Sequence, residues 1–474
     1  MQHERAYYRL TVAGILALST LTLSACKKPV SHLERVKQAG ELVVVTRDAS
    51  TSYFQGPDGP AGLEHDLALG FAEHLGVQLR LVVAERTADI LPMVASGEAD
   101  LAAGVTVRRQ LGSRVRFTPD YQKITQQLIY RRGERDPASI DDIYEGYLEV
   151  VSGSAHAETL ESLRKQYPEL RWVETPAART EELLNRVWEK RVDFAIADSH
   201  EIAYVRRFYP ELRVAFDLSE PKRIAWALPL STDDTLYRAA TKFIRGAKED
   251  GTLAQLKERY FGHVNDFDYV QTKVFLRHIE KRLPRYEPHF LTASSRYEVD
   301  WRLLAAMGYQ ESAWNPRAIS PTGVRGIMML TLATASHVGI KNRLDPEQSI
   351  LGGARYFSRI LSQLPERITN PDRTWLALAA YNVGFGHLED ARALTQHLGM
   401  DPDRWVDVKK QLPLLRKKEF YAYLKHGYAR GDEAVTYVER IRDYYEQLMR
   451  RFPLTDETRQ KFAEDLVASN TPSS

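Results

Sequence analysis

The chain has 474 residues, enough for two or three domains with full cores. Its 65 Lys and Arg against 63 Asp and Glu leave a formal charge of +2, so the electrostatic footprint of a nucleic-acid binder is missing and no nucleic acid is expected as a partner. A single cysteine, Cys26, excludes an intramolecular disulfide, and no repeat or long low-complexity tract stands out.

Arg5 and Arg9 precede an apolar run from Leu10 to about Leu23, too short for a comfortable membrane span, and Leu23-Ser24-Ala25-Cys26 follows. This pattern resembles the bacterial lipobox, which implies a signal peptide over 1–25, a lipidated Cys26 and a short linker to residue 30. Lys27 in place of Asp implies sorting to the outer membrane, with the protein on its periplasmic face and attached through acyl chains.

From 31 to 266 short apolar strands alternate with helical stretches, the rhythm of an α/β domain. Leu42 to Thr46 is predicted as a buried strand, Asp66 to Leu75 as an amphipathic helix and Leu79 to Val83 as the next strand. Gly62-Leu63-Glu64-His65-Asp66-Leu67, Ser96-Gly97-Glu98-Ala99-Asp100 and Arg191 through Asp198 resemble the amino-acid-type periplasmic solute-binding proteins. The resemblance implies a bilobed cleft that closes on an amino acid or small peptide, and muropeptides released from the wall are the small peptides expected here. Asp198 matches the position that holds the ligand amine, and Gly153-Ser154 resembles an anion-binding turn at a helix start. The carboxylate-binding arginine is Arg108, Arg109 or neither, because their spacing to Phe117-Thr118-Pro119 departs from the family pattern. Tyr53 and Phe54 are candidates for an aromatic wall.

A hinge-like stretch runs from His263 through Tyr269, and Val274 to Ile279 and Tyr286 to Ser294 are helical lead-ins to a mainly helical region over 267–454. Trp301 to Ser312 is predicted as a helix with Asp300 as its N-cap and Asn315-Pro316 as its stop. Leu304, Met307, Gly308 and Glu311 share one face of it, which places a carboxyl on the buried side of the last turn. Desolvation and the negative end of the helix dipole both raise the pKa of such an acid, as a general acid near neutral pH requires. Thr374 to Tyr381 and Glu433 to Arg450 are predicted as further helices, and 455–474 is a polar tail.

Four pieces in order, Gln310-Glu311-Ser312, Gly326-Ile327-Met328-Met329-Leu330-Thr331, Ala380-Tyr381-Asn382-Val383-Gly384-Phe385-Gly386 and Tyr437-Val438-Glu439-Arg440-Ile441, resemble the lytic transglycosylases that cut peptidoglycan glycan strands. The resemblance implies a lysozyme-like fold, with Glu311 as the catalytic acid. Ser320, in Ser320-Pro321-Thr322-Gly323, matches a serine that contacts the substrate, Asn382 an amide for an N-acetyl group, and Tyr381 and Tyr437 aromatics around the acid. Met329 stands where the family carries Gln, which puts a substrate hydrogen bond of the family in question. Asp345, Glu347, Glu389 and Asp390 are further acids, each in a polar stretch that reads as solvated surface.

The implied chemistry needs no cofactor or metal: Glu311 protonates the glycosidic oxygen, then takes a proton from the sugar's own C6 hydroxyl, and a 1,6-anhydro ring results. The pairing of the two regions resembles the membrane-bound lytic murein transglycosylase F family. Two other readings stay open. One is a goose-type-lysozyme-like hydrolase, which requires a second carboxylate about 6.5 to 9.5 Å from the acid. The other is a solute receptor whose helical domain grips glycan without cutting it.

Overall fold

The computed structural model describes residues 30–56, 59–108, 114–134, 136–176, 179–263, 268–321 and 323–453. The signal segment, Cys26, Arg109 and the polar tail lie outside the described residues.

The first region is two α/β lobes. The strand Glu41–Thr46 pairs in parallel with Gln78–Val83 and Leu101–Thr106, and the last runs antiparallel to Lys222–Pro229. Leu42 to Thr46 are all buried because both sheet faces are covered, which is why the strand reads as an unbroken apolar run. The second lobe orders its strands Val173–Thr175, Leu148–Val151, Phe194–Asp198, Gln126–Arg131 and Leu212–Asp217. The chain crosses between the lobes twice, after Ile124 and after Asp217, so each lobe has its own core and the cleft lies between them. The helix predicted from Asp66 starts three residues earlier and spans Leu63–Leu75.

From Tyr269 the chain is helical. The helix Trp301–Ser312 forms where predicted, and the Asp300 side chain accepts from Arg302 N at 2.8 Å at its N-terminus. Every residue from Trp301 to Tyr309 is buried, so this is a central helix surrounded by others rather than an amphipathic surface helix. Its end is set before Pro316, by left-handed backbone at Ala313 and Trp314, with φ of 50° and 57°. Neighbouring helices Pro346–Gln363, Asp372–Val383 and Gly431–Arg451 pack around it in one continuous core. Helix Asp372–Val383 runs past the predicted end at Tyr381, so Asn382 sits in its last turn and Gly384, at φ 95°, terminates it.

The two regions are bonded through ion pairs and a hydrogen bond, buried or half-buried. Arg442 on the closing helix Gly431–Arg451 reaches Glu258 at 2.8 Å, Lys409 reaches the same carboxylate at 2.8 Å, and Gln255 donates to Asp372 at 2.8 Å. Arg207 of the second lobe pairs with Asp443, at 3.3 Å, and with Glu446 on that closing helix.

Candidate active site

Three hydrogen bonds tie the four separated sequence pieces into one site. Tyr437 OH donates to Glu311 Oε1 at 2.7 Å, Tyr381 OH donates to Met328 O at 3.0 Å, and Ser312 Oγ donates to Ile327 O at 2.9 Å. The loop 326–330 can come this close because of two glycines. A side chain at Gly308 would meet Ile327 Cγ2 at 3.2 Å and Met328 Sδ at 3.3 Å. At Gly326, with φ 85°, a Cβ would lie 1.9 Å from Arg343 O, so no other residue fits there.

Glu311 is half-buried in the last turn of its helix. Burial pushes its carboxyl up to about 7, and the hydrogen bond from Tyr437 pulls the other way without cancelling it. No charged neighbour contributes to the shift. Tyr437 is itself buried, and burial together with the nearby carboxylate holds its phenol protonated, so it remains a donor at neutral pH. Tyr381 is affected in the same way, with Glu311 among the causes, which places its ring beside the acid.

The other predicted residues surround this centre. Ser320 closes a tight turn in which its Oγ accepts from Val324 N at 3.2 Å and its carbonyl from Gly323 N at 2.9 Å. Met329, half-buried, adopts a left-handed φ of 45°, uncommon for a residue with a side chain, in the loop that carries the Tyr381 hydrogen bond. Asn382 is exposed one residue past Tyr381.

The reading of the other acids as solvated surface is corrected at Asp390. It is buried and accepts from the backbone N of Lys425, at 3.2 Å, and of His426, at 2.8 Å, a loop anchor that local polarity does not reveal. Asp345 caps helix Pro346–Gln363 by accepting from Gln348 N, Glu347 is exposed in its first turn, and Glu389 pairs with Arg392 at 2.6 Å. Each thus has a local place, and among the described residues no second carboxylate bonds to Glu311.

In the cleft between the α/β lobes, Asp198 ends its strand and caps the helix Ser199–Val205 in a reciprocal box with Glu201. His156 Nε2 lies 2.9 Å from Asp198 Oδ1, both side chains buried. Burial opposes ionisation of Asp198, but His156, His200 and Arg47 outweigh it and hold the carboxyl below its ordinary value. Glu201 pairs across the cleft with Arg47 at 2.8 Å. Arg108 donates to Gly153 O at 3.0 Å and pairs with Glu158 at 3.1 Å, while Ser154 Oγ accepts from Ala157 N at the start of helix Ala155–Arg164. Together with Arg179 on Asp48, at 2.7 Å, these contacts close the lobes on one another. The cavity left between these residues is about 40 Å³, the space of roughly one water molecule. Tyr53 and Phe54 face His65 and Tyr260.

Sequence reasoning missed Arg47, His156 and Glu201. His156, Asp198 and Glu201 have metal-ligand spacing, yet each is already engaged, by one another or by Arg47. The Asp-x-x-Glu capping box was a readable signal for Glu201, and the carboxyl end of the strand Glu41–Thr46, where open α/β sheets bind ligands, for Arg47.

Comparison with known proteins agrees with this architecture. Residues 288–402 match the family described as Transglycosylase SLT domain, and residues 42–263 match Bacterial extracellular solute-binding proteins, family 3. The chain is 51% identical over 425 residues to Membrane-bound lytic murein transglycosylase F 1 of Alkalilimnicola ehrlichii, covering 89% of this chain and 86% of that one. It is 47% identical over 440 residues to Membrane-bound lytic murein transglycosylase F of Saccharophagus degradans, covering 92% and 88%. Among solved structures, the amino acid ABC transporter substrate-binding protein AbpA from Streptococcus pneumoniae, bound to L-arginine, aligns at 24% identity and a TM-score of 0.44, over 49% of this chain and 100% of that one. At such identity to full-length relatives, the chain belongs to the membrane-bound lytic murein transglycosylase F family.

Proposed function

We propose that this protein cleaves the bond between N-acetylmuramic acid and N-acetylglucosamine in peptidoglycan glycan strands without hydrolysis, leaving 1,6-anhydromuramyl ends. The observation that carries this reading is Glu311: one acid raised to about 7 by burial and held by a buried tyrosine, in a chain of the lytic murein transglycosylase F family. Protonated Glu311 gives its proton to the glycosidic oxygen as the bond to C1 breaks. The carboxylate so formed, steadied by Tyr437, takes the proton of the C6 hydroxyl as its oxygen closes on C1. The acid ends as it began, and no activated water is needed. Ser320, Met329, Tyr381 and Asn382 position the sugar, Asn382 through its N-acetyl group. Glu311→Gln should fold and still bind glycan while losing nearly all cleavage, and near wild-type turnover would refute the assignment.

The N-terminal domain is read as a sensor of small wall-derived ligands, amino acids or muropeptides. Its internal ion pairs support this, because a ligand amine would have to displace His156 from Asp198 and open the cleft. The bonds from Arg207 to the helix that carries Tyr437 support a route to the catalytic region. The anchor is read as acyl chains on Cys26, holding the enzyme to the periplasmic face of the outer membrane. The relatives' printed name, membrane-bound, supports it, and among the described residues no helix is long and apolar enough to cross a membrane.

A further inference from the structure

A concave feature beside the acid helix takes no part in the chemistry at Glu311. The helix Tyr269–Lys281 and the turn Leu283–Arg285 present Lys281, Arg282 and Arg285, which with Tyr286, Trp314 and Asn315 line a pocket of about 340 Å³. That volume lies within the range of small-ligand sites, roughly 300 to 1,000 Å³. The three bases are exposed, and among the described residues none has an ion-pair partner. Several other bases of the helical region are paired with acids, Arg302 with Asp300, Arg392 with Glu389 and Asp403, and Arg416 with Asp432. Glu280 and Glu287, the nearest acids in sequence, do not line the pocket. Three cations gathered in a concavity without a counter-charge repel one another, and such an arrangement is relieved by an anion.

The pocket is joined to the catalytic acid. Arg282 Nη1 donates to Ala313 O at 2.9 Å, the residue that ends the acid helix, and Asn315 on the pocket wall follows Glu311 by four residues. At most about 14 Å separates the two positions along an extended chain. An oligopeptide of four or five residues covers that distance. We propose that this pocket holds the carboxylate groups of the peptide stem borne by the muramic acid whose bond is cut at Glu311. The inference rests on the transglycosylase reading. Guanidinium groups pair with carboxylates in a fixed fork, and a concave site suits a peptide end better than the flat surface of an anionic membrane.

The test compares kcat/KM of the full chain on two preparations, glycan strands that keep their peptide stems and the same strands stripped of them at the lactyl amide. The variants are Lys281→Glu with Arg285→Glu, and Lys281→Gln with Arg285→Gln. Arg282 is left in place because of its bond to Ala313, and thermal unfolding checks the fold. We expect the charge-reversed pair to lose about three- to tenfold on stem-bearing strands, the neutral pair to lose less, and both to stay within about twofold on stripped strands. Added salt should narrow the wild-type preference for stem-bearing strands. Equal losses on both substrates, or no loss on either, would overturn the proposal. So would an unchanged stem preference with reduced binding to phosphatidylglycerol vesicles, which would make the patch a membrane contact. Cleavage of neither preparation by the wild type would sink the transglycosylase reading itself, whereas cleavage without any stem dependence sinks only the pocket.

Discussion

Tyr437 OH and Glu311 Oε1 lie 2.7 Å apart although 126 residues separate them in the chain. The bond stabilises the carboxylate form, so it limits how far burial raises the acid's pKa. Tyr437→Phe should therefore raise that pKa further, moving the alkaline limb of the activity profile to higher pH while lowering kcat through loss of positioning. A limb that stays in place or moves down would contradict this role for the phenol.

Because the folded pKa of Glu311, about 7, exceeds the ordinary value of 4.5, the folded state binds its proton more tightly than the unfolded state does. Stability from this group is complete below pH 4.5 and is lost as pH rises through about 7. Glu311→Gln removes that loss, so the variant should be more stable than wild type at pH 8, by about 1 to 3 kcal/mol, and should show little difference at pH 4. Equal denaturation midpoints at pH 8 would mean the carboxyl is better solvated than its setting implies.

In the cleft, an amine-bearing ligand competes with His156 for Asp198. His156→Ala should strengthen the binding of amino acids or muropeptides to the full chain by about tenfold, since a charge-assisted contact is worth roughly 1.5 to 3 kcal/mol and part of it returns as desolvation of Asp198. Calorimetry with a peptide panel reads this directly, and weaker binding in the variant would assign His156 to the ligand instead.

Cys26→Ala should release the protein from membranes, with the variant recovered in the soluble fraction after high-salt washing. Retention in the membrane fraction would require a different anchor.

The acid helix was legible in the sequence almost residue by residue, because its cap, apolar spacing and last-turn acid are local signals. Its stop was not. Proline was the visible cue, but Ala313 and Trp314 turn left-handed first, with Trp314 buried and its indole donating to Ala305 O at 2.8 Å. Asn382 was misplaced by the same kind of cue, since the helix continues to Val383 before Gly384 ends it. Tyr437 could be assigned to the acid only by resemblance, because no periodicity links positions so far apart. The closed cleft was hidden for a similar reason: Arg47 and Glu201 lie on different lobes, and their pairing is a property of the tertiary fold.

The central claim is that one acid and the substrate's own hydroxyl do the cutting. Mass spectrometry of peptidoglycan digested by the full chain tests it most directly. The account predicts 1,6-anhydromuramyl ends, each lighter than a hydrolysed end by one water. A predominance of reducing ends would contradict it and make the protein a hydrolase.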